Sequence, residues 1–420
     1  MFSLQLAFIE PLISLCLFVF GASFFTVLVT VTLKASEASE VVIGFVQSAY
    51  FAGLLVGGAL VNRVIRRSGH IRSYSAFASV LAVTMLTMGL WIDPYTWLAL
   101  RLLFGFSIAA MYVVIESWLL SYANAQNRGT ILSFYMIALY LAQSGSQFFY
   151  KEMAELHFNP YMIGAIFVCL SAIPLALAFT RPPEIEAGSS ISLKRLVKAS
   201  PVGVAACLMG GVIQGSVYAS LPSFSMAYHY EPSEMLAIAI IGGGVLQWPI
   251  GKLSDIFDRR TILIAVSVAI LIPCLLMFIC FKHEMAVKAL CFLIGGLSFA
   301  LYPLGISQAC DRLQPGEITG ATALLLVLYG VGSVISPILA AYFMALWPVL
   351  LFGFYFLFAL LLVLIGIYSV KIKAPVPMED QGRFVPMPST TVVTAELDPR
   401  AAHATIAEKS PVSNSQDFGK

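Results

Sequence analysis

Apolar runs of about 20 residues recur along the whole sequence, and this repetition limits the folds that the chain can adopt. A helix of about 20 apolar residues spans the ~30 Å hydrocarbon core of a bilayer. Hydrophobic residues make up 59% of the 420 residues and charged residues only 11%. We therefore predict an all-α integral membrane protein with twelve spans, near residues 9–33, 41–65, 73–92, 95–122, 130–150, 160–180, 202–227, 234–253, 261–281, 287–310, 320–344 and 349–370.

A polar segment rich in Pro and Ser interrupts this pattern after the sixth run. It predicts an N-terminal six-helix bundle at 1–180, a linker at 181–201 and a C-terminal six-helix bundle at 202–372. The remaining residues, 373–420, are rich in Pro, Ser, Thr and Ala and have no apolar periodicity. Such a tail buries too little apolar surface to fold alone, so we expect it to be disordered or draped on the inner face.

Basic residues are distributed unevenly between the two sets of loops. With the amino terminus in the cytoplasm, the inner connections carry fifteen Lys and Arg residues. The outer connections carry only Lys34, Lys151, Lys282 and Lys288. Because cytoplasmic loops are enriched in Lys and Arg, both termini are predicted to be cytoplasmic.

The two halves also share short segments in the same order. At an offset of 190, Gly105, Tyr112 and Ser117 of GFSIAAMYVVIES match Gly295, Tyr302 and Ser307 of GGLSFALYPLGIS. Parallel repeats of this kind are related by a pseudo-two-fold axis along the membrane normal in secondary transporters, and their substrate site lies near the midplane between the halves.

The fourth span carries two charges, Arg101 and Glu116, inside an apolar stretch. A charge at the bilayer centre costs roughly 2.5–3.5 kcal/mol on insertion scales, so both side chains must face protein or water. At about 100° per residue, both fall on one helical stripe with Tyr112, and that stripe is predicted to line a cavity. They lie about 22 Å apart along the axis, so each needs its own partner. A purely structural role for both charges remains an alternative.

Polar residues in other spans fit the same cavity. Amides, phenols and an indole are typical of small-molecule sites, and they also serve as hydrogen-bonding contacts between membrane helices. The candidate lining residues are Tyr112, Gln143, Gln147, Gln214, Tyr218, Gln247, Trp248 and Tyr302.

The segment after the eighth span reads GKLSDIFDRR. It resembles the loop signature of the major facilitator superfamily, although Ile256 stands where the family has Arg and Asp258 where it has Gly. The resemblance covers residues 1 to about 372 and implies a facilitator fold. It also implies a cytoplasmic gate at Asn62, Arg63, Asp255, Arg259 and Arg260.

The fourth-helix motif Arg101-x-x-x-Gly105 resembles that of the same family, in which the buried Arg is associated with proton or substrate coupling. The resemblance is more specific to the YcaD-like branch of this family. Three segments carry it: YFAGLLVGG, RLLFGFSIAAMYVVIESWL and FVPMPSTTVVTAELDPR. The glycine-proline motif of the drug/proton antiporters is absent from the fifth span, which contains no Pro. This absence argues against drug efflux.

Motifs for other activities are missing from the sequence. It has no GxxxxGK[ST] loop for ATP, no GxSxG elbow and no HExxH motif. The seven cysteines lie in or beside apolar spans without metal-type spacing. We therefore expect no enzymatic activity, no cofactor and no metal, and the composition implies no nucleic-acid partner.

The sequence thus predicts a monomeric secondary active transporter of the bacterial cytoplasmic (inner) membrane, surrounded by lipid bilayer. It would move a small polar or amphipathic solute by alternating access, by symport with protons. Poor solvation disfavours a carboxylate, so Glu116 is predicted to exchange the proton, while Arg101 holds an anionic group or steadies a neighbouring carboxylate. The alternatives are a multidrug or metabolite efflux carrier and a non-transporting receptor or scaffold that signals through the tail.

Overall fold

The computed structural model describes residues 9–123, 127–177, 191–372 and 374–391. A helix occurs at every predicted span. The helices are α1 Ile9–Ala35, interrupted at Phe24, α2 Glu40–Ser68, α3 His70–Leu90, α4 Pro94–Ser121, α5 Arg128–Glu155, α6 Pro160–Ala176, α7 Pro201–Ala227, α8 Pro232–Ile256, α9 Arg259–Cys280, α10 Glu284–Cys310, α11 Ile318–Leu346 and α12 Leu350–Ile372. A short linker helix, Leu193–Ala199, precedes α7.

Ten of these helices in the described part of the chain are long and apolar enough to cross a membrane. The other two are α5, which carries several Gln and Ser residues, and α6, which is shorter. Large apolar side chains such as Leu141, Ile279 and Leu346 are exposed on the outer surface, where lipid would cover them. The all-α membrane class is confirmed, and the count of twelve spans stays a prediction at α5 and α6.

Local sequence signals fix where several helices begin. Asp93 precedes α4, and its carboxylate accepts the backbone N–H of Thr96 at 2.7 Å. Asn159 caps α6 in the same way. Both caps are followed by proline, which fits the first turn of a helix because its missing N–H would have no intrahelical partner there.

The helices pack as two similar bundles. In the first bundle α2 packs on α4, α1 on α5 and α6, and α3 on α6. The second bundle repeats these contacts, with α8 on α10, α7 on α11 and α12, and α9 on α12. The bundles meet through α2 with α11 and α5 with α8. The packing therefore has the two-fold pattern that the sequence repeat predicted.

Glycines set the close approach of α2 and α4. A Cβ atom on Gly53 would lie 2.0 Å from the carbonyl oxygen of Leu102. A Cβ atom on Gly105 would lie 2.0 Å from the carbonyl oxygen of Tyr50. Only glycine lets the two backbones come this close, as is common where membrane helices pack.

The same device occurs in the second bundle. A Cβ atom on Gly242 of α8 would lie 2.1 Å from the carbonyl oxygen of Phe292. A Cβ atom on Gly295 of α10 would lie 2.1 Å from the carbonyl oxygen of Ala239. Gly295 is the residue that the sequence repeat aligned with Gly105, so the repeat preserves a helix contact.

The two bundles touch directly at one end. The second part of α1 packs on α7 there, and Ser48 of α2 donates a hydrogen bond to the carbonyl of Val334 on α11 at 2.5 Å. We call the opposite end, which carries the linker helix and Asp255, the linker end. The linker helix is attached there by an ion pair between Arg195 and Glu317, 2.5 Å apart. The hydrogen bond from Arg195 lowers the pKa of Glu317.

The sequence predicts two alternatives for the tail, disorder and draping over the protein, and residues 374–391 follow the second. Residues 374–391 run back over the linker end and into the gap between the bundles, and Val385, Met387 and Thr391 are buried. Apolar periodicity missed this segment because it has almost no regular secondary structure and is held by individual contacts. The rest of the predicted tail, 392–420, lies outside the described residues, as does the larger part of the predicted linker, 181–190.

We predict that Gly53→Ala lowers the stability of the detergent-solubilised protein. The added methyl group must push α2 from α4, and overpacking of this kind costs roughly 1–3 kcal/mol of unfolding free energy. Gly58→Ala on the same helix is the matched control, because nothing lies within 4 Å of its Cβ position. A thermal melt should show a clear decrease for Gly53→Ala alone, and equal melts would contradict the close-packing argument.

Candidate functional site

A cavity of about 360 Å³ lies between the bundles. Its wall is mostly aromatic and apolar, with a few phenol, amide and hydroxyl groups. Six tyrosines contribute to it: Tyr50, Tyr112, Tyr140, Tyr218, Tyr302 and Tyr329. Its size and lining are those of a site for a small organic molecule.

Aromatic rings from both bundles form a stack at the cavity, with Tyr140 from the first bundle and Tyr218 and Phe299 from the second. Phe299 stacks with Tyr140 and with Tyr218, with ring centroids 6.2 and 5.7 Å apart. The Tyr218 hydroxyl donates to Gln143 Oε1 at 3.1 Å, and Gln143 is also hydrogen-bonded to Tyr112. These contacts fix the rings and link the bundles across the cavity.

Arg101 is fully buried near the end of α4 that lies away from the linker end. Its Nη2 donates to Gln47 Oε1 on α2 at 2.7 Å. Gln47 in turn donates through Nε2 to the carbonyl of Thr26 at 2.8 Å and to Thr30 Oγ1 at 2.9 Å. Gln47 therefore joins the charged group of α4 to α1.

The Arg101 guanidinium lies directly behind the cavity wall. Its Cζ is 4.6 Å from the ring centroid of Tyr50 and 5.0 Å from that of Phe104, and both rings line the cavity. Cation–π contacts of this kind stabilise a desolvated charge. Its Nε and Nη1 have no hydrogen-bond partner among the residues that the structure describes. The site therefore has free donors for an acceptor group.

Glu116 is fully buried nearer the linker end of α4. The Tyr135 hydroxyl of α5 donates to its Oε1 at 2.6 Å. Thr390 donates to the same oxygen and Thr391 donates to Oε2, both from the returning tail. Three hydroxyl groups thus surround a carboxyl group that has no cationic partner in the described salt bridges of the chain.

The structure brings five of the eight predicted lining residues to the cavity: Tyr112, Gln143, Gln214, Tyr218 and Tyr302. It differs from the expectation at the other three. Gln147 is buried in α5 away from the lining. Gln247 lies in a second crevice between α5 and α8, where it accepts from Tyr140. Trp248 borders the same crevice, where it is 67% exposed and packs on Lys252.

The predicted stripe on α4 also lines the cavity only in part. Ile108 and Tyr112, in its middle, face the cavity. Gly105 packs against α2 instead, and the charged residues at the two ends, Arg101 and Glu116, lie behind other side chains. The helical period gave the correct side of α4, but the period could not tell which neighbours would cover that side.

Three of the predicted gate residues cluster at the linker end. Arg259 is buried, and its Nη1 lies 2.6 Å from Asp311 Oδ2. Asp255 lies 3.6 Å from the same guanidinium. Arg260 donates to the carbonyl of Ser369 at 3.2 Å and so holds α9 to α12.

The gate residues of the first bundle are arranged differently. Asn62 is half-buried and Arg63 is exposed at the linker end of α2. The Asn62 Oδ1 atom has no hydrogen-bond partner in the described ranges. The structure therefore does not bring Asn62 and Arg63 into a latch like the one at Arg259.

Comparison with known proteins assigns the family. The profile of the Major Facilitator Superfamily matches residues 12–318 and 233–410. The chain belongs to the major facilitator superfamily. It is 28% identical over 307 residues to the MFS-type transporters YcaD of Salmonella enteritidis PT4 and Salmonella newport, covering 72% of this chain and 79% of those proteins. This supports the YcaD-like branch.

Solved structures of other facilitators share the fold. The nucleoside transporter NupG (D323A mutant) superposes with a TM-score of 0.69 at 15% identity, covering 88% of this chain and all of that one. An inward-facing, occupied bacterial homolog of the lysosomal transporter Spinster gives 0.67 at 13% identity, covering 90% and 98%. These likenesses show a shared fold, and membership of the superfamily makes the chain a multi-pass membrane transporter.

Sequence reasoning missed several residues of this facilitator's site. Gln47 and Tyr135 are the polar partners of the two buried charges, yet each looks like one more polar residue in an apolar span. Their distance along the sequence from Arg101 and Glu116 hides the pairing. Thr390 and Thr391 are missed for another reason, since nothing in a Pro- and Thr-rich tail indicates where it lies.

We predict that Gln47→Leu destabilises the facilitator in detergent. The substitution leaves a buried donor of Arg101 without an acceptor, which costs about 1–3 kcal/mol. Gln147→Leu is the matched control, because the buried Oε1 of Gln147 has no hydrogen-bond partner in the described part of the chain. Thermal melts should separate the two variants, and a stable Gln47→Leu protein would contradict the role of Gln47.

Proposed function

We propose that this facilitator is a proton-coupled symporter that moves a small polar or amphipathic solute by alternating access. The observation that carries the proposal is the Glu116 carboxyl group, buried beside the cavity among three hydroxyl groups. A buried carboxyl group without a cation nearby can take up and release a proton as its surroundings change. The proposed role of Glu116 is to couple that proton to solute movement.

Alternating access is supported by the difference between the two ends of the molecule. The bundles contact each other at one end through α1 with α7 and α2 with α11. The cavity between them reaches toward the linker end, where residues of the tail form its floor. Because basic loops predict that the linker end is cytoplasmic, we propose that this state is closed to the outside.

The cavity chemistry supports an amphipathic solute with an anionic group. Stacked rings at Tyr140, Phe299 and Tyr218 offer a flat apolar surface. Behind the rings of Tyr50 and Phe104, Arg101 has two buried donor atoms without partners in the described residues. An anionic group that displaced the ring of Tyr50 or Phe104 would reach these donors. Of the two roles expected for Arg101, this geometry favours binding of the solute.

The remaining parts of the proposal concern setting and assembly. We propose a monomer in the bacterial inner membrane with both termini in the cytoplasm, and with neither a nucleic-acid partner nor an enzymatic activity. An efflux carrier for hydrophobic compounds would share the aromatic rings but would have no need of a guanidinium group beside them. A receptor or scaffold would need neither the cavity nor the buried carboxyl group.

We predict that Glu116→Gln abolishes solute accumulation driven by a pH gradient in proteoliposomes. A solute can first be found by a thermal-shift screen, since a ligand at 100 times its dissociation constant adds about 2.7 kcal/mol of stability. The amide of the variant cannot take up or release the proton, so a pH gradient cannot drive accumulation. Solute counterflow needs no pH gradient and should therefore persist. Glu317→Gln, outside the cavity, is the control. Accumulation that survived in Glu116→Gln would exclude the proton role.

We also predict that Arg101→Gln weakens binding of an anionic solute more than that of a neutral analogue. A hydrogen bond to a charged group contributes about 1.5–3 kcal/mol, which corresponds to a loss of roughly 10- to 150-fold in affinity. Arg63→Gln, at an exposed position, is the control for charge alone. Titration calorimetry on the purified variants would measure the affinity for each solute. Equal losses of affinity for the anionic solute and the neutral analogue would rule out anion recognition.

A further inference from the structure

The returning tail follows a defined path across the linker end. Arg312 donates to the carbonyl of Ala374 at 2.9 Å. The N–H of Gly382 donates to Asp311 Oδ1 at 3.2 Å, and its carbonyl accepts from Arg259 Nη2 at 2.5 Å. The segment is thus attached to the mouth of the cavity through its backbone, before it turns inward.

Phe384 is the next attachment point. Its N–H donates to Asp255 Oδ1 at 2.6 Å, and its ring packs on Gly251, where a Cβ atom would lie only 2.4 Å from the ring. Glycine at this position of α8 therefore makes room for an aromatic side chain of the tail. Asp255, expected from the sequence to act as a gate, here binds the tail.

The end of the described segment lies inside the cavity. Residues 387–391 contribute to its lining, and Met387 and Thr391 are buried. Ser389 is hydrogen-bonded to Tyr329 of α11. The hydroxyls of Thr390 and Thr391 contact both carboxylate oxygens of Glu116. A solute or water molecule that approached Glu116 from the linker end would meet these residues first.

We propose that the mouth of the cavity is a peptide-binding site whose ligand is the chain's own segment 382–391. The bound segment blocks the linker end and covers Glu116, so it must leave before solute passes that end. Only the block to solute passage rests on the proposed transport function, because docking of the segment is a property of the fold. A ligand tethered by a short connection has an effective concentration in the millimolar range, so modest contacts suffice to keep it bound.

Docking can be tested by disulfide trapping. Gly251→Cys with Phe384→Cys should form an intramolecular disulfide under mild oxidation in membranes, in a Cys169→Ser background that removes the exposed native thiol. Gly129→Cys with Phe384→Cys is the control, because nothing lies within 4 Å of the Gly129 Cβ position. Peptide mapping should show the first bond and not the second. Absence of a disulfide between positions 251 and 384 would overturn the proposal.

Occlusion can be tested without any transport assay. Ser333→Cys places a thiol at a buried position of the cavity wall, and a maleimide added to the purified protein reports access to it. Deleting 374–420 should raise its labelling rate roughly tenfold, if the docked state holds nine-tenths of the molecules. Deleting only 392–420 should leave the rate unchanged. Ser267→Cys, buried on α9, should stay unlabelled in all three lengths.

The outcomes separate the two proposals. Equal labelling of Ser333→Cys in the full chain and in both truncations would overturn occlusion by the segment. A synthetic peptide of residues 374–391 should restore protection of Ser333→Cys in the protein that lacks 374–420. The same peptide with Thr390→Val and Thr391→Val should protect this thiol less. If these results hold and no variant accumulates solute, docking stands and the proposed transport coupling fails.

Discussion

The cost of keeping ionised groups away from water governs the arrangement of this facilitator. Arg101 and Glu116 lie on one helix, too far apart along its axis to neutralise each other, and each is fully buried. Each is therefore met by partners from different elements. Gln47 and two aromatic rings surround the guanidinium, while Tyr135 and two threonines surround the carboxyl group. Helix α4 consequently lies at the centre of the polar contacts.

The scaffold is symmetric, whereas the chemistry is not. Close helix contacts recur at Gly105 and Gly295, and Tyr112 and Tyr302 both line the cavity. At the same offset of 190 residues, the positions of Arg101 and Glu116 are taken by Cys291 and Ile306. Both bundles therefore supply aromatic rings to the cavity, whereas only the first bundle carries a buried charge at either of these two positions.

The contacts of the returning tail are mainly of a kind that can be made and broken. Its attachment to Asp255, Arg259 and Asp311 uses backbone N–H and C=O groups at the edge of the protein. Only a few of its side chains are buried, among them Val385 and Met387. The conformational entropy of ordering a segment opposes such a small buried surface. A reversible ligand of the cavity mouth fits this balance better than a permanent part of the fold.

The sequence by itself determined the membrane class, the positions of the helices, the internal repeat and the unusual status of Arg101 and Glu116. These follow from composition and from local periodicity, which neighbouring residues alone fix. The tertiary structure decided which side chains meet: Gln47 with Arg101, Tyr135 with Glu116, Trp248 on the exterior and the tail inside the cavity. Contacts between residues far apart in the chain depend on how whole helices pack against each other. That packing depends on which glycines face a neighbouring helix and on where the loops run, and neither can be read from local sequence.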